Sequence, residues 1–535
     1  MQVWMEQLVS ALERLDCLSS EGIEACRQQS VFVRTATNDE IETLLAALVE
    51  RLPHSAADST LLANRSNQAE ALIATLLEQF WLRYPAMGHV HAEDASAVAP
   101  LSSRAISLIE QLYRRMGPQQ RVRQHLLRTL SADASAEALA MFAELVADDP
   151  PTHADDASLA FVPLMQHRRI PVRALYPRLL DALAHPSTAA LVLDVSNHFT
   201  RRGLLPRHPA ASRVVELGGL MSGMVQRLNL LEEQPGKAAT SAHQLQQKVA
   251  EGVALLVPLC DALALIGDTS VVGKLHQALS LGHRRLRTEA AAALARLGDE
   301  QGITVLAQLA GEAVVRPIAL TYLQELGQLD RAPPQYRTPV ARAEGELAHW
   351  LSQPSRFALP PQQMELIDAC TQYWPGFDEP VDCFLFRFDY RLPQGEFSGV
   401  GMGAPVTYSF YADLQDLPPA DIYAVYAGWS AEHEELTETD AATLSAEEIG
   451  RWEETRQRLQ RDGYENIQLA KIGHFFSHDV PVAIASHGPQ PGVLVVDGDD
   501  VLWFPQRGAS RPMGPTEAYY LYKGRKILAA FNRDR

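Results

Sequence analysis

Between residues 250 and 330 the chain repeats itself, and that repetition limits what this stretch can become. DALALIGD at 261–268, AAALARLGD at 291–299 and TYLQELGQ at 321–328 each end an apolar stretch in glycine, and Gly267, Gly298 and Gly327 stand 31 and 29 residues apart. A second register agrees: LRTEA at 286–290 and VRPIA at 315–319 place Arg287 and Arg316 29 residues apart, each just before an apolar helix. One helix pair of this length cannot bury its own apolar face, so neighbouring pairs must stack. The glycines suit the left-handed residue that closes a helix. Asp268 and Asp299 then fall at the start of the following helix, where a carboxylate can accept from free backbone amides.

These phrases resemble the short HEAT-like repeats of the phycobilisome-lyase type. The resemblance covers about 80 residues and implies a scaffold of stacked helix pairs, not a particular activity. Some HEAT-like proteins are iron-dependent hydroxylases with His-Glu pairs in several repeats. Here the only such pair, His433-Glu434, lies outside the repeats.

Upstream the pattern loosens. QRVRQHLLRTL (120–130) with AEALAMFAELVAD (136–148), and VRALYPRLLDALAHP (172–186) with STAALVLDVSNHFTRRG (187–203), read as helix pairs. Further helices are expected at 65–82, 102–116, 211–231 and 241–266. Thr37 to Glu40 forms a capping box opening the helix at 41–52. Residues 1–330 are therefore an all-helical array, a HEAT-like solenoid or an irregular bundle, most regular at 250–330.

RAPPQYRTP at 331–339 interrupts the array with three prolines. The expected organisation is a connector over 331–372, carrying helices at 340–352 and 361–372, and then an α+β domain over 373–535. The shift is visible in composition, because 24 of the 38 aromatic residues lie between Tyr373 and Phe531. DCFLFRFDYRL alternates, with Phe384, Phe386, Phe388 and Tyr390 on one side and Leu385, Arg387 and Asp389 on the other, so one face is expected to be core. PVTYSFYADL, NIQLAKIGHFF, PVAIASH, GVLVVDG and DVLWFP read as further strands of a mainly antiparallel sheet, with a tight turn at Asp497-Gly498. Helices are expected at 418–429, 445–461 and 515–523. Ser445 with Glu448 caps the second, and Gly463 stops it.

At 535 residues the chain exceeds what one core ordinarily supports, which agrees with a multidomain reading. The net charge of -18 repels nucleic acid and anionic membrane unless a local basic face overrides it. Five dispersed cysteines, Cys17, Cys26, Cys260, Cys370 and Cys383, make no Cys-x-x-Cys pair and point to a reducing compartment. MQVWMEQLVSALERL reads as a helix and not a signal peptide. Val253 to Gly267, the most apolar stretch, contains Asp261 and is too short to span a bilayer. A cytoplasmic protein without membrane contact is expected.

Among candidate sites, His474, His478 and His487, with Asp479 or His433-Glu434, are the best metal ligands. Read as strand and turn, however, His474 and His478 lie about 13 Å apart, too far for two ligands of one ion. Neither a metal nor a cofactor is expected. Gly395 and the Gly399 to Gly403 run superficially match a phosphate loop, but the strand-like Pro405 to Tyr408 that follows favours a strand connection. Asp497, Asp499 and Asp500 beside Arg507 and Arg511 could assist hydrolysis, although turn chemistry explains them.

Arginines cluster at helix ends: Arg114, Arg115, Arg121, Arg123 and Arg128; Arg168, Arg169 and Arg173; Arg201 and Arg202; Arg284, Arg285 and Arg287. On one concave face they would form a basic groove, as in HEAT-like alkylpurine DNA glycosylases; otherwise they are a solvated surface with local ion pairs. The leading expectation is a protein-interaction scaffold or adaptor with a C-terminal recognition or regulatory domain. A hydrolase or metal-dependent enzyme sited in that domain and nucleic-acid binding through the arginines are the alternatives.

Overall fold

The computed structural model describes residues 7–10, 24, 27–51, 67–84, 99–116, 123–167, 170–234, 241–392, 395–506 and 511–532. The expected N-terminal helix falls mostly outside these residues, as do Cys17 and Cys26. The chain divides into two compact units, Met1–Gly302 and Ile303–Arg535.

Eleven α-helices of the first unit are described: α1 (Asn38–Arg51), α2 (Asn67–Leu82), α3 (Ser103–Arg115), α4 (Gln124–Asp133), α5 (Ala136–Asp148), α6 (Ala154–Gln166), α7 (Ala189–Arg201), α8 (Val214–Glu233), α9 (Ala242–Ile266), α10 (Val272–Leu279) and α11 (Arg284–Arg296). Contacts join next-but-one helices in three runs, α2 to α4 to α6, α7 to α9 to α11, and α8 to α10, and also neighbours such as α4 and α5, α8 and α9, and α10 and α11. One apolar core runs through them from Leu8 to Leu294.

The capping chemistry read from sequence is present. Thr37 and Glu40 exchange bonds at the start of α1, the Thr37 amide donating to the Glu40 carboxylate at 2.9 Å. Gly267, Gly298 and Gly327 have φ of +77°, +85° and +66°, a left-handed region that costs other residues energy. The Asp299 amide reaches back to the Leu294 carbonyl (3.0 Å) and the Gln328 amide to Leu323 (2.7 Å), the bond that lets a left-handed residue satisfy orphan carbonyls. Asp268 and Asp299 accept from the Ser270 and Gln301 amides at 2.9 and 2.8 Å.

Two readings in this unit are corrected. Residues 172–186 form 3₁₀ turns, Val172–Leu175 and Arg178–Ala184, in place of an α-helix. Pro177 lacks an N–H, and Tyr176 before it is extended, so the helix is interrupted there. The apolar stretch at Val253 to Gly267 belongs to the 25-residue α9, which by length and composition could cross a bilayer. Its apolarity has a local use: Leu256, Leu259, Cys260 and Leu263 are buried in the core. Its Asp261 pairs with Arg201 and, at 3.5 Å, with Arg296.

In the second unit α12 (Glu300–Leu309, crossing the division), α13 (Arg316–Glu325) and α14 (Pro339–Leu351) precede the sheets. The Arg316 guanidinium, buried, donates to the carbonyls of Ala310 (2.8 Å) and Ala341 (2.7 Å) and to the Glu344 carboxylate (2.6 Å). The expected helix at 361–372 is instead strand β1 (Gln363–Gln372), antiparallel to β2 (Val381–Leu392), which pairs with β3 (Gly395–Ala404). β2 has core on both faces, correcting the one-face reading. Phe384, Phe386, Phe388 and Tyr390 pack on Ala343, Leu347 and Leu351 of α14, while Cys383 and Leu385 join the cluster of α15 (Pro419–Ser430).

The glycine run is neither a phosphate loop nor a loose connection. It is β3 itself, and a Cβ on Gly403 would lie 2.1 Å from the Ala343 carbonyl oxygen of α14. Residues 405–414 form no strand, contributing one bridge between Met402 and Tyr408.

Five antiparallel strands follow in sequence order: β4 (Glu438–Asp440), β5 (Tyr464–Phe475), β6 (His478–His487), β7 (Gln490–Asp497) and β8 (Asp500–Pro505). Val480, Val482, Val493 and Val495 face Tyr519 and Tyr522 of α17 (Pro515–Phe531). The alternate positions Ala483, Ala485, Leu494 and Val496 face Trp452 and Leu459 of α16 (Ala446–Arg461), so the period-two pattern is buried on both sides. Ser445 and Glu448 cap α16 reciprocally, and Gly463 follows it at φ +88°. α17 extends eight residues beyond its expected end at Tyr522–Lys523, to Phe531.

Candidate functional site

α15 and α17 cross at very short range. A Cβ on Gly428 would stand 2.0 Å from the Tyr520 carbonyl oxygen, and one on Gly524 1.7 Å from that of Ala424. This contact brings Asp421 of α15 to Arg525 of α17, an ion pair at 2.8 Å. A groove opens on either side of that pair. One lobe, about 360 Å³, is lined by Asp413, Asp416 and Asp421 against Leu502, Phe504, Pro505 and Met513. The other, about 540 Å³, has Asp368, Cys370, Gln372 and Tyr423 and shares Asp421 and Arg525.

The loop carrying the acids is held in place. The Asp413 amide donates to the Arg511 carbonyl at 2.8 Å, and its carboxylate accepts from the Gln415 amide and side chain at 3.2 and 3.0 Å. Arg511 turns its guanidinium over the rings of Tyr411 and Phe397, 3.9 and 4.9 Å from their centroids. Four carboxylates thus line the two lobes against one guanidinium, already paired. Beside aromatic and prolyl walls, that arrangement favours a cation with an apolar stem.

The histidine candidates do not converge. His474 bonds through both ring nitrogens, Nδ1 to Asp479 (3.0 Å) and Nε2 to Thr439 (2.9 Å). His478 begins β6, His433 takes the Glu435 amide (3.1 Å) and lies against Phe476, and His487 packs on Tyr464 and Trp503. Among the described residues no three His, Cys, Asp or Glu side chains gather in a way that could hold a metal. The hairpin acids are spent on neighbours: Asp497 pairs with Lys526 at 2.8 Å and Asp499 with Arg458 at 2.9 Å. Arg507 lies outside the described residues.

The arginines are dispersed into local contacts. Arg114 pairs with Glu110 (2.9 Å) and Asp148 (3.7 Å), and Arg115 donates to the Val49 carbonyl. Arg123, buried, pairs with Asp149 (2.7 Å) and stacks on Tyr113. Arg128 lies 3.3 Å from the Trp81 ring centroid. Arg201 pairs with Asp261, Arg202 donates to the His167 carbonyl (2.9 Å), and Arg285 pairs with the buried Glu289 (2.7 Å). Arg284 and Arg287 are engaged as well. Arg173 is exposed, and Arg121, Arg168 and Arg169 lie outside the described residues.

Sequence reasoning missed the acids of the groove and Thr439. Asp413, Asp416 and Asp421 stand within the nine residues DLQDLPPAD that lead into α15, a local acid run, but Asp368 lies on β1, and only the fold joins it to them. Thr439 completes a chain, Thr439 to His474 to Asp479, whose last member also accepts from Arg451 at 3.0 Å. No family model and no curated protein matches the chain.

Proposed function

We propose that this chain is an interaction scaffold whose C-terminal unit takes a basic peptide segment in the groove around Asp421 and Arg525. The carrying observation is the gathering of Asp368, Asp413, Asp416 and Asp421 beside Leu502, Phe504 and Met513. The stems of Lys or Arg would lie on the apolar wall while their charges meet the carboxylates. The helical unit is read as a HEAT-like array, supported by the left-handed Gly267 and Gly298 and by packing of helices on their neighbours and next-but-one neighbours. Arginine pairing within that unit favours a solvated surface over a nucleic-acid groove. Titration of the full chain with an Arg/Lys peptide and a neutral peptide of equal length tests the reading. Preference for the basic peptide, reduced at least about tenfold in the Asp413→Asn/Asp416→Asn double variant, is expected. Equal affinity for both peptides would refute it.

A second reading, an ester hydrolase, is favoured by the Thr439, His474 and Asp479 chain. With Nδ1–H donated to Asp479, Nε2 accepts from the Thr439 hydroxyl, the polarity of a nucleophile, its base and an orienting carboxylate. Hydrolysis of p-nitrophenyl acetate lost equally in Thr439→Val and His474→Gln supports it. A wild-type rate no higher than that of either variant removes it.

A further inference from the structure

β1 and β2 place Cys370 directly opposite Cys383. Opposed residues of an antiparallel pair point to the same side of the sheet, with Cβ atoms about 4.5–5.5 Å apart, so a small inward shift reaches the spacing a disulfide needs. The two thiols differ in surroundings. Cys383 is buried and its sulfur accepts from the Gln372 side chain at 3.7 Å. Cys370 is half-buried and lines the second lobe of the groove. One sulfur is therefore reachable from solvent and the other waits behind it.

We infer that Cys370 and Cys383 are an oxidisable pair, which a low-molecular-weight disulfide of the glutathione class converts into a cross-strand disulfide in the groove wall. The Cys370 thiolate attacks one sulfur of the oxidant, the oxidant's S–S bond breaks, and one thiolate leaves. The Cys383 thiolate then attacks the Cys370 sulfur, displaces the second thiolate and closes the bond. Two electrons pass from protein to oxidant, and the two protons released by the cysteines end on the two small thiols. Burial pushes both thiols up, that of Cys383 to about 12, so ionisation limits the rate. Oxidation should accelerate about tenfold per pH unit from pH 7 to pH 9.

The test uses the full chain under oxidised glutathione, read by intact mass and non-reducing peptide mapping. The expected result is loss of two hydrogens, a linked peptide pair containing Cys370 and Cys383, and reversal by dithiothreitol. In Cys383→Ser the reaction should stop with one glutathione on Cys370. Cys370 and Cys383 that both remain alkylatable after prolonged exposure at pH 9, or a wild-type protein that keeps glutathione on Cys370, would overturn the proposal. That the bond alters peptide binding rests on the groove reading above. It is read separately, by comparing basic-peptide affinity before and after oxidation; unchanged affinity refutes the coupling and leaves the thiol chemistry standing.

Discussion

His208 shows how much one buried side chain can encode. It is 3% exposed, its Nε2 donates to Asn197 Oδ1 at 3.0 Å, and its Nδ1 accepts from the Ala210 amide at 3.3 Å. Asn197 in turn donates to the Pro258 carbonyl at 2.9 Å. Only neutral imidazole satisfies this arrangement, because a second ring proton would point at the Ala210 N–H. Burial accordingly pushes the His208 pKa down to about 4, against a smaller upward pull from Asp261. Between that value and the unfolded value near 6.5 the unfolded chain holds the extra proton, so stability rises with pH across this window and is lost as pH falls through it. Asp194, pushed up to about 6 chiefly by burial and also by Asp261, acts in the opposite sense between about 4 and 6. His208→Gln should lower stability at pH 7 and flatten its pH dependence by up to about 1.4 kcal/mol per pH unit. Urea midpoints at pH 5 and pH 7 measure this; an unchanged difference between the two would remove His208 as a source. None of it was legible in the sequence, since the partners stand 11 and 53 residues away from the imidazole. The caps at Thr37, Asp268 and Asp299 were legible because their chemistry is local.

At the scale of elements, what could be read followed the same division. β2 announced itself through alternation, and β5 to β8 through short runs rich in β-branched and aromatic residues. β1 did not: QMELIDACTQ alternates poorly, its residues suit a helix as well, and only pairing with β2 makes it strand. Residues 405–414 failed in the other direction, having strand composition but only one bridge. The glycines of α15 and α17 resemble helix defects in sequence, yet Gly524 lets two backbones meet where a Cβ would stand 1.7 Å from a carbonyl oxygen. Gly524→Ala should therefore destabilise by at least about 2 kcal/mol, because backbone cannot yield as a side chain does. Gly450→Ala in α16, where a Cβ meets nothing within 4 Å, should do the reverse and stabilise by about 0.5–1 kcal/mol. Opposite shifts in melting temperature by calorimetry check the pair. Shifts of the same sign would deny that the α15/α17 crossing depends on glycine.

Across the whole molecule, charge distinguishes a groove that binds cations from a protein that merely attracts them. The net charge is -18, while the groove itself gathers Asp368, Asp413, Asp416 and Asp421 with Arg525. At 0.15 M salt the screening length is about 8 Å, so a bound peptide senses little beyond the groove's own carboxylates; at 0.01 M it is about 30 Å, and the wider field contributes. The two sources are therefore separable by ionic strength. Replacing Asp413 and Asp416 by Asn should weaken basic-peptide affinity at 0.15 M, mainly through faster dissociation. It should leave most of the low-salt rise in association rate, which belongs to the remaining net charge of -16, obtained as -18 plus the two charges removed. Stopped-flow anisotropy of a fluorescein-labelled basic peptide reads both constants. If the variant loses the low-salt acceleration together with affinity, steering and binding reside in the same two carboxylates. If affinity at 0.15 M is unaffected, the groove is not where the peptide sits.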